Sequence, residues 1–297
     1  MVKAHSLARP VAGTLLLLLL SIAAPGAVPA ARPVVLVVEE NHSYESVIGS
    51  PSMPFLNRLA RQYAVATKYY ANDHSSIPNY FWMTAGQPLT YNDNTRAIFD
   101  VNNIVRQMLI GGKSWKSYAE GLPYAGYTGF NTELYVKRHN PLAYFTDVAN
   151  SSLKSNLAPF SEFAADLRNN RLPDFSFVVP NIQHDAHNGS LSTADRWLAN
   201  NIAPLLSTPD FQPGGRGVLI ITFDESNDED CRPVSCEYGK EGGGRVATVI
   251  AGPAVRRQFA SQAFYRHENL LRTIAVMLGL RDFPGAAARA RSMSDFF

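Results

Sequence analysis

Pro33-Val34-Val35-Leu36-Val37-Val38, followed at once by Glu39-Glu40-Asn41, is the stretch whose reading decides the fold. Its apolar side chains are mostly β-branched and no polar residue interrupts them. A strand that is apolar at every position must be buried on both faces, and this marks the central strands of a parallel sheet covered by helices. Working outward, the runs Phe175 to Val179, Val218 to Phe223 and Val246 to Ile250 read the same way. Between the strands lie helical patterns at Met53 to Gln62, Val101 to Leu109, Phe160 to Asn169, Ala194 to Leu206 and Asn269 to Leu278. Strands alternating with helices predict an α/β fold, with a mainly parallel central sheet and helices on both faces. Tyr118 to Tyr144, rich in Tyr, Gly and Asn, reads as an irregular insertion.

Ligands of open parallel sheets bind beyond the carboxyl ends of the strands. The first strand runs into Glu39-Glu40-Asn41, the second into Pro180-Asn181-Ile182-Gln183-His184-Asp185-Ala186-His187, and the third into Asp224-Glu225-Ser226. Remote segments therefore bring carboxylates, an amide and imidazoles to one sheet edge. A fourth piece, His74-Ser75-Ser76-Ile77-Pro78-Asn79-Tyr80, precedes an expected helix from Asn79 to Ala85. Ser76 reads either as an ordinary helix cap or as a nucleophile, because a helix start offers free N–H groups and partial positive charge to an alkoxide or an anion.

A serine hydroxyl needs a base or a metal to react at ordinary pH. Glu40, Asn41, Asp224 and Glu225, with Ser76, make an all-oxygen set. Such a set suits a hard divalent cation, Mg, Ca or Mn in preference to Zn. Taken singly, each carboxylate also reads as a solvated loop charge, and each histidine as a structural one.

The bulk properties set the context. Lys3 and Arg9 precede the apolar run Leu15 to Ala24, and small residues follow at Ala27, Val28 and Ala30, so residues 1–31 read as a secretory signal. An uncleaved anchor is the alternative, and either reading sends the rest of the chain to the cell envelope or beyond. Residues 32–297 suffice for a single catalytic domain, and no later stretch is long and apolar enough to span a membrane. A net charge of +2 with scattered Lys and Arg excludes an electrostatic track for nucleic acid. Cys231 and Cys236, the two cysteines, lie in an acidic, Gly-rich loop where an exported chain would form a small disulfide.

The segments from Val37 to Ser43, from His74 to Tyr80 with Thr84-Ala85-Gly86-Gln87, Pro180-Asn181 with His184-Asp185-Ala186-His187, Thr222-Phe223-Asp224-Glu225, and Tyr265 to Thr273 together resemble the bacterial and fungal phosphoesterase family. That family contains acid phosphatases and non-haemolytic phospholipases C. The motifs occur in family order across nearly all of the chain after its leader. The resemblance implies an alkaline-phosphatase-like fold, with Ser76 at the nucleophile position and Glu40, Asn41, Asp224 and Glu225 at metal positions. Glu225 stands where a second Asp is more common. Asp185, His187 and His267 match a second metal site or, with His184 and Asn79, contacts to phosphate. His74 or His187 would protonate the leaving group.

Lys137-Arg138-His139-Asn140-Pro141 also resembles a family segment, its charges facing an anionic substrate; an exposed turn before Pro141 is the alternative. The substrate so implied is a small phosphate ester, with phosphomonoesters preferred to phospholipid head-group diesters because the sequence ends soon after the last expected helix. A serine esterase would want a Gly-x-Ser-x-Gly elbow, which Ser76 lacks. A non-catalytic phosphate or phospholipid-binding protein would keep the cleft without needing Ser76.

Overall fold

The computed structural model describes Met1, residues 26–227 and residues 242–297. Most of the expected leader, with Cys231 and Cys236, lies outside the described residues. Ala31, read as the last residue of the leader, is buried, and its N–H donates to the Met277 carbonyl at 3.0 Å. Packed structure thus begins before Arg32.

Among the described residues eight strands form one sheet: β1 Val34–Glu39, β2 Ala64–Tyr69, β3 Trp115–Ala119, β4 Leu157–Pro159, β5 Phe175–Val179, β6 Val218–Phe223, β7 Thr248–Ala251 and β8 Phe259–Tyr265. Their spatial order is β4-β3-β5-β1-β6-β7-β2-β8. β1 lies between β5 and β6 and runs parallel to both, with Leu36 opposite Phe177 on one side and Ile220 on the other. Every residue of these three strands is buried, as runs apolar at nearly every position require when both faces are covered. Because they are parallel neighbours, their carboxyl ends meet at one edge.

Two expectations need correction. The run read as Val246 to Ile250 is β7, and it pairs antiparallel with both β6 and β2; hydrophobic periodicity carries no information about strand direction. The stretch from Tyr118 to Tyr144 is not merely an insertion. It contains the end of β3, and two 3-10 turns, Lys137–His139 and Pro141–Tyr144, fold back against the sheet edge.

The helices are α1 Tyr44–Val47, α2 Pro54–Gln62, α3 Ser76–Ala85, α4 Ile104–Ile110, α5 Thr146–Ala149, α6 Ser161–Arg168, α7 Leu191–Asn201 and α8 His267–Met277. α2 packs with α7, and α3 with α8. The N-cap Met53 supplies no side-chain acceptor to α2. Buried Asp195 of α7 does so instead, accepting the N–H groups of Phe55 and Leu56 at 2.8 and 2.9 Å. Those N–H groups would otherwise be orphans of the first turn, so one carboxylate both caps α2 and ties it to its neighbour. Among the described residues no helix is long and apolar enough to cross a membrane.

Candidate active site

The chain leaves β1 at Glu40, β6 at Asp224 and β5 toward Asp185, and main-chain bonds lock these ends together. The N–H of Glu40 donates to the Asp185 carbonyl (2.7 Å), and that of Asp224 donates to the Glu39 carbonyl (3.0 Å). Asp224 Oδ1 accepts the N–H groups of Asn41 (3.2 Å) and Glu225 (2.7 Å). Its Oδ2 is buried with no hydrogen-bond partner among the described residues.

α3 delivers Ser76 to the same edge. Ser75, the residue before the helix, holds φ 80° and ψ 144°, a region that suits glycine and costs a β-carbon-bearing residue of order 1–3 kcal/mol. The kink is fixed by Asn79. Its amide oxygen accepts the N–H groups of Asn72 and Asp73 (3.1 Å each), and its amide nitrogen donates to the carbonyls of Asp73 (2.7 Å) and Ser75 (3.1 Å). With its side chain committed to this loop, Asn79 works on the backbone around Ser76.

Ser76 occupies the first helical position and not the cap, and is 4 % exposed. Its Oγ donates to Glu40 Oε2 at 3.1 Å. One helical turn on, the Tyr80 hydroxyl donates to the other Glu40 oxygen at 2.5 Å. The first-turn N–H of Ile77 is already taken by Asp93 Oδ1 (3.1 Å), so the helix start has fewer free donors for an anion than the sequence suggests.

His139 enters from the Lys137–His139 turn and is fully buried. Its Nε2 lies 3.2 Å from Glu40 Oε1 and its Nδ1 lies 3.2 Å from Asp185 Oδ2. The Tyr80 ring stacks on its imidazole, with centroids 5.3 Å apart and planes 7° from parallel. Glu40, His139 and Asp185 form a buried group whose donor atoms could hold a metal ion. The family resemblance grouped Asp185 with His187 and His267; the imidazole whose ring nitrogen meets the Asp185 carboxylate is that of His139. The visible signal for it was a histidine between Arg138 and Asn140-Pro141, and the signal for Tyr80 was its four-residue spacing from Ser76.

The remaining expected residues divide. Glu225 joins the group through Oε2, which accepts the Ser75 N–H (2.9 Å) and meets His74 Nδ1 (3.1 Å). Asn41, His74, Ser75, Glu225, Ser226 and Asn227 line an open pocket of about 390 Å³. His267 lies beneath the site: Nε2 meets the Asp224 carbonyl (2.7 Å) and Nδ1 meets the Tyr69 hydroxyl (3.0 Å), so protein groups occupy both nitrogens. His184 turns to Glu120 at 2.8 Å. His187 is half-buried, its ring 6.1 Å from that of His139 and its main-chain N–H donating to Asp185 Oδ1 (2.8 Å).

Electrostatically the cluster is expensive. Burial, then the charges of Asp224 and Asp185, pushes the Glu40 carboxyl well up. Burial, then Glu225, does the same to Asp224, and burial raises Glu225. Burial raises Asp185 to about 7. Burial, followed by Arg138, lowers His139, while His267 falls to about 4 mainly through burial. Converging carboxylates in a dry site resist ionisation unless a cation joins them. The orphaned Asp224 Oδ2 and the mostly oxygen donor set fit a divalent cation, and the His139 nitrogen brings Zn within the same range.

This arrangement can be compared with known proteins. A model of the phosphoesterase family matches residues 50–281. The chain is 30% identical over 276 residues to a phosphatidylinositol-3-phosphatase of Mycobacterium tuberculosis, covering 92% of this chain and 85% of that protein. It is 32% identical over 252 residues to a probable acid phosphatase of Kluyveromyces lactis, covering 80% of this chain but only 56% of the yeast protein. A solved structure from the alkaline phosphatase superfamily of Vibrio parahaemolyticus superposes with a TM-score of 0.59 at 12% identity, over 89% of this chain and 70% of that one, a likeness of fold. The motifs, the sheet and the relatives agree: the chain belongs to the phosphoesterase family and is a hydrolase acting on phosphate esters.

Proposed function

We propose that residues 32–297 form one exported catalytic domain, a metal-dependent phosphomonoesterase that works through a phosphoserine intermediate on Ser76. The observation that carries this reading is the 3.1 Å hydrogen bond from Ser76 Oγ to Glu40, at the meeting point of three strand ends. Glu40 is placed to take the hydroxyl proton as Oγ attacks phosphorus. The Oγ–P bond forms while the bond from phosphorus to the leaving oxygen breaks, and His74, which meets Glu225 and lines the pocket, supplies the leaving group's proton. Water then attacks the phosphoserine, releasing inorganic phosphate and restoring the hydroxyl. Glu40, Asn41, Asp224 and Glu225 with Ser76, or Glu40 with Asp185 and His139, are the residues that would hold a divalent cation. When bound, it would neutralise the acids and the charge developing on the phosphoryl oxygens.

Both relatives reported above are named as phosphatases, which supports a monoester over a phospholipase C-type diester, and the mycobacterial name supports a lipid head group as one carrier of that monoester. Ser76→Ala should lower kcat by roughly three orders of magnitude or more while leaving the thermal transition in place; full activity in this variant would end the assignment. Comparing p-nitrophenyl phosphate with p-nitrophenyl phosphorylcholine, each with and without EDTA, tests the rest. A preference for the choline ester would select the diester reading, and indifference to EDTA after long dialysis would remove the metal.

A further inference from the structure

The turn that brings in His139 also carries Arg138. Among the described residues no carboxylate pairs with Arg138. Its Nη2 lies 3.4 Å from His187 Nε2, and its Nε is buried with no hydrogen-bond partner. His187 Nδ1 lies 2.8 Å from Asn188 Oδ1, an acceptor, so Nδ1 carries the proton and Nε2 is left to accept from Arg138. A ring nitrogen thus holds the guanidinium, with no carboxylate at hydrogen-bond distance among the described residues. Arginines buried at one nitrogen are normally matched by a carboxylate or a carbonyl, because an unmatched N–H loses its hydration for nothing.

The location gives that charge a use. Arg138 immediately precedes His139, which touches Glu40 and Asp185, and Glu40 accepts the Ser76 hydroxyl. The charge of Arg138 is felt by both Asp185 and His139. A planar fork of N–H donors, pinned from one side by a histidine whose ring lies 6.1 Å from that of His139, fits the terminal oxygens of a phosphoryl group.

We propose that Arg138 is the substrate-binding residue that recognises a dianionic terminal phosphate and so selects monoesters over diesters. A monoester presents three terminal oxygens and two charges, whereas a diester presents two terminal oxygens and one charge. Removing the guanidinium must therefore cost the monoester more. The inference rests on Ser76 being the nucleophile only in that it places the phosphoryl group there; binding of the anion itself requires no turnover.

The experiment compares wild type, Arg138→Gln and Arg138→Lys. Inorganic phosphate is titrated by calorimetry, and kinetics are measured on p-nitrophenyl phosphate and bis-p-nitrophenyl phosphate. Arg138→Gln should weaken phosphate binding about 10- to 100-fold and raise KM for the monoester by a similar factor. It should change kcat/KM for the diester less than about threefold, and Arg138→Lys should fall between. Unchanged phosphate affinity in Arg138→Gln overturns the proposal. So do equal losses on both esters with Arg138→Lys no better than Arg138→Gln, the pattern of a packing defect. If Arg138→Gln fails to fold, Arg138→Lys decides alone: at least a threefold loss of monoester selectivity supports the role, and unchanged selectivity removes it. Ser76→Ala separates the two ideas, because it should keep phosphate binding while losing turnover.

Discussion

Glu40 has two oxygens with different tasks, and a tyrosine divides them. Tyr80 donates to Oε1 at 2.5 Å, which leaves Oε2 for Ser76. Without the phenol the carboxylate could rotate and offer either oxygen to either neighbour. Tyr80→Phe keeps the ring stacked on His139 but frees that rotation; it should lower kcat about 10-fold or more with KM nearly unchanged, since hydrogen bonds to charged groups are worth about 1.5–3 kcal/mol. Steady-state kinetics check this, and an unaltered kcat would make Tyr80 a packing residue only. Of this residue-scale pattern, Glu40, Ser76, Asp185 and Asp224 were visible in the sequence because each follows a readable strand or opens a readable helix. His139 was not assigned its place, because it follows no strand and its partners lie far away along the chain, at Glu40 and Asp185. Asn79 was read as a contact to phosphate, and no pattern of spacing reveals that its amide is consumed by its own loop.

At the scale of elements, strands were legible where both faces are buried and poorly legible elsewhere. β1, β5 and β6 are buried throughout and apolar but for Glu39, Ser176 and Thr222, whereas β2 carries Lys68, β3 carries Lys116 and the edge strand β8 carries Ser261 and Gln262 side by side. Lys116 is reconciled with its strand by an ion pair to Asp166 of α6 at 2.7 Å, a tertiary contact that periodicity does not encode. α3 offers a test of how tightly the elements are fitted. It ends at Gly86, where φ is 67° and an added Cβ would meet the Pro284 carbonyl oxygen at 2.3 Å. Gly112 has a similar φ of 62° but nothing within 4 Å. Gly112→Ala should cost about 1 kcal/mol, from the left-handed backbone alone, and Gly86→Ala about 2 kcal/mol or more, because backbone must also move. Urea unfolding of both variants measures the difference, and equal costs would mean that the α3 terminus yields freely.

For the whole molecule, the acids at the sheet edge couple stability to pH and to metal. Burial holds Glu40, Asp185, Asp224 and Glu225 above their ordinary values, and neighbouring carboxylates add to the rise at Glu40 and Asp224. Without a cation, the folded state therefore keeps protons that the unfolded chain has released. Its stability must fall as pH rises, for Asp185 between the ordinary 3.8 and about 7. A divalent cation would replace those protons, so EDTA should lower Tm more at pH 8 than at pH 5. Scanning calorimetry at both values decides it; an equal or larger EDTA effect at pH 5 would mean that the acids are not where the ion binds.

The central strand has a weakness that its sequence conceals. A strand apolar on both sides buries as much oil after a one-residue slip as before, so hydrophobicity alone leaves its alignment almost undecided. A slip one way would bring Glu39 to the place of Glu40, and a slip the other way would bring Asn41. What distinguishes the native alignment is polar: the Ser76 and Tyr80 hydroxyls and the His139 imidazole all meet the Glu40 carboxylate. The groups read here as catalytic equipment thus double as the registration marks by which the middle of the sheet finds its place, and mutating them tests assembly as well as chemistry.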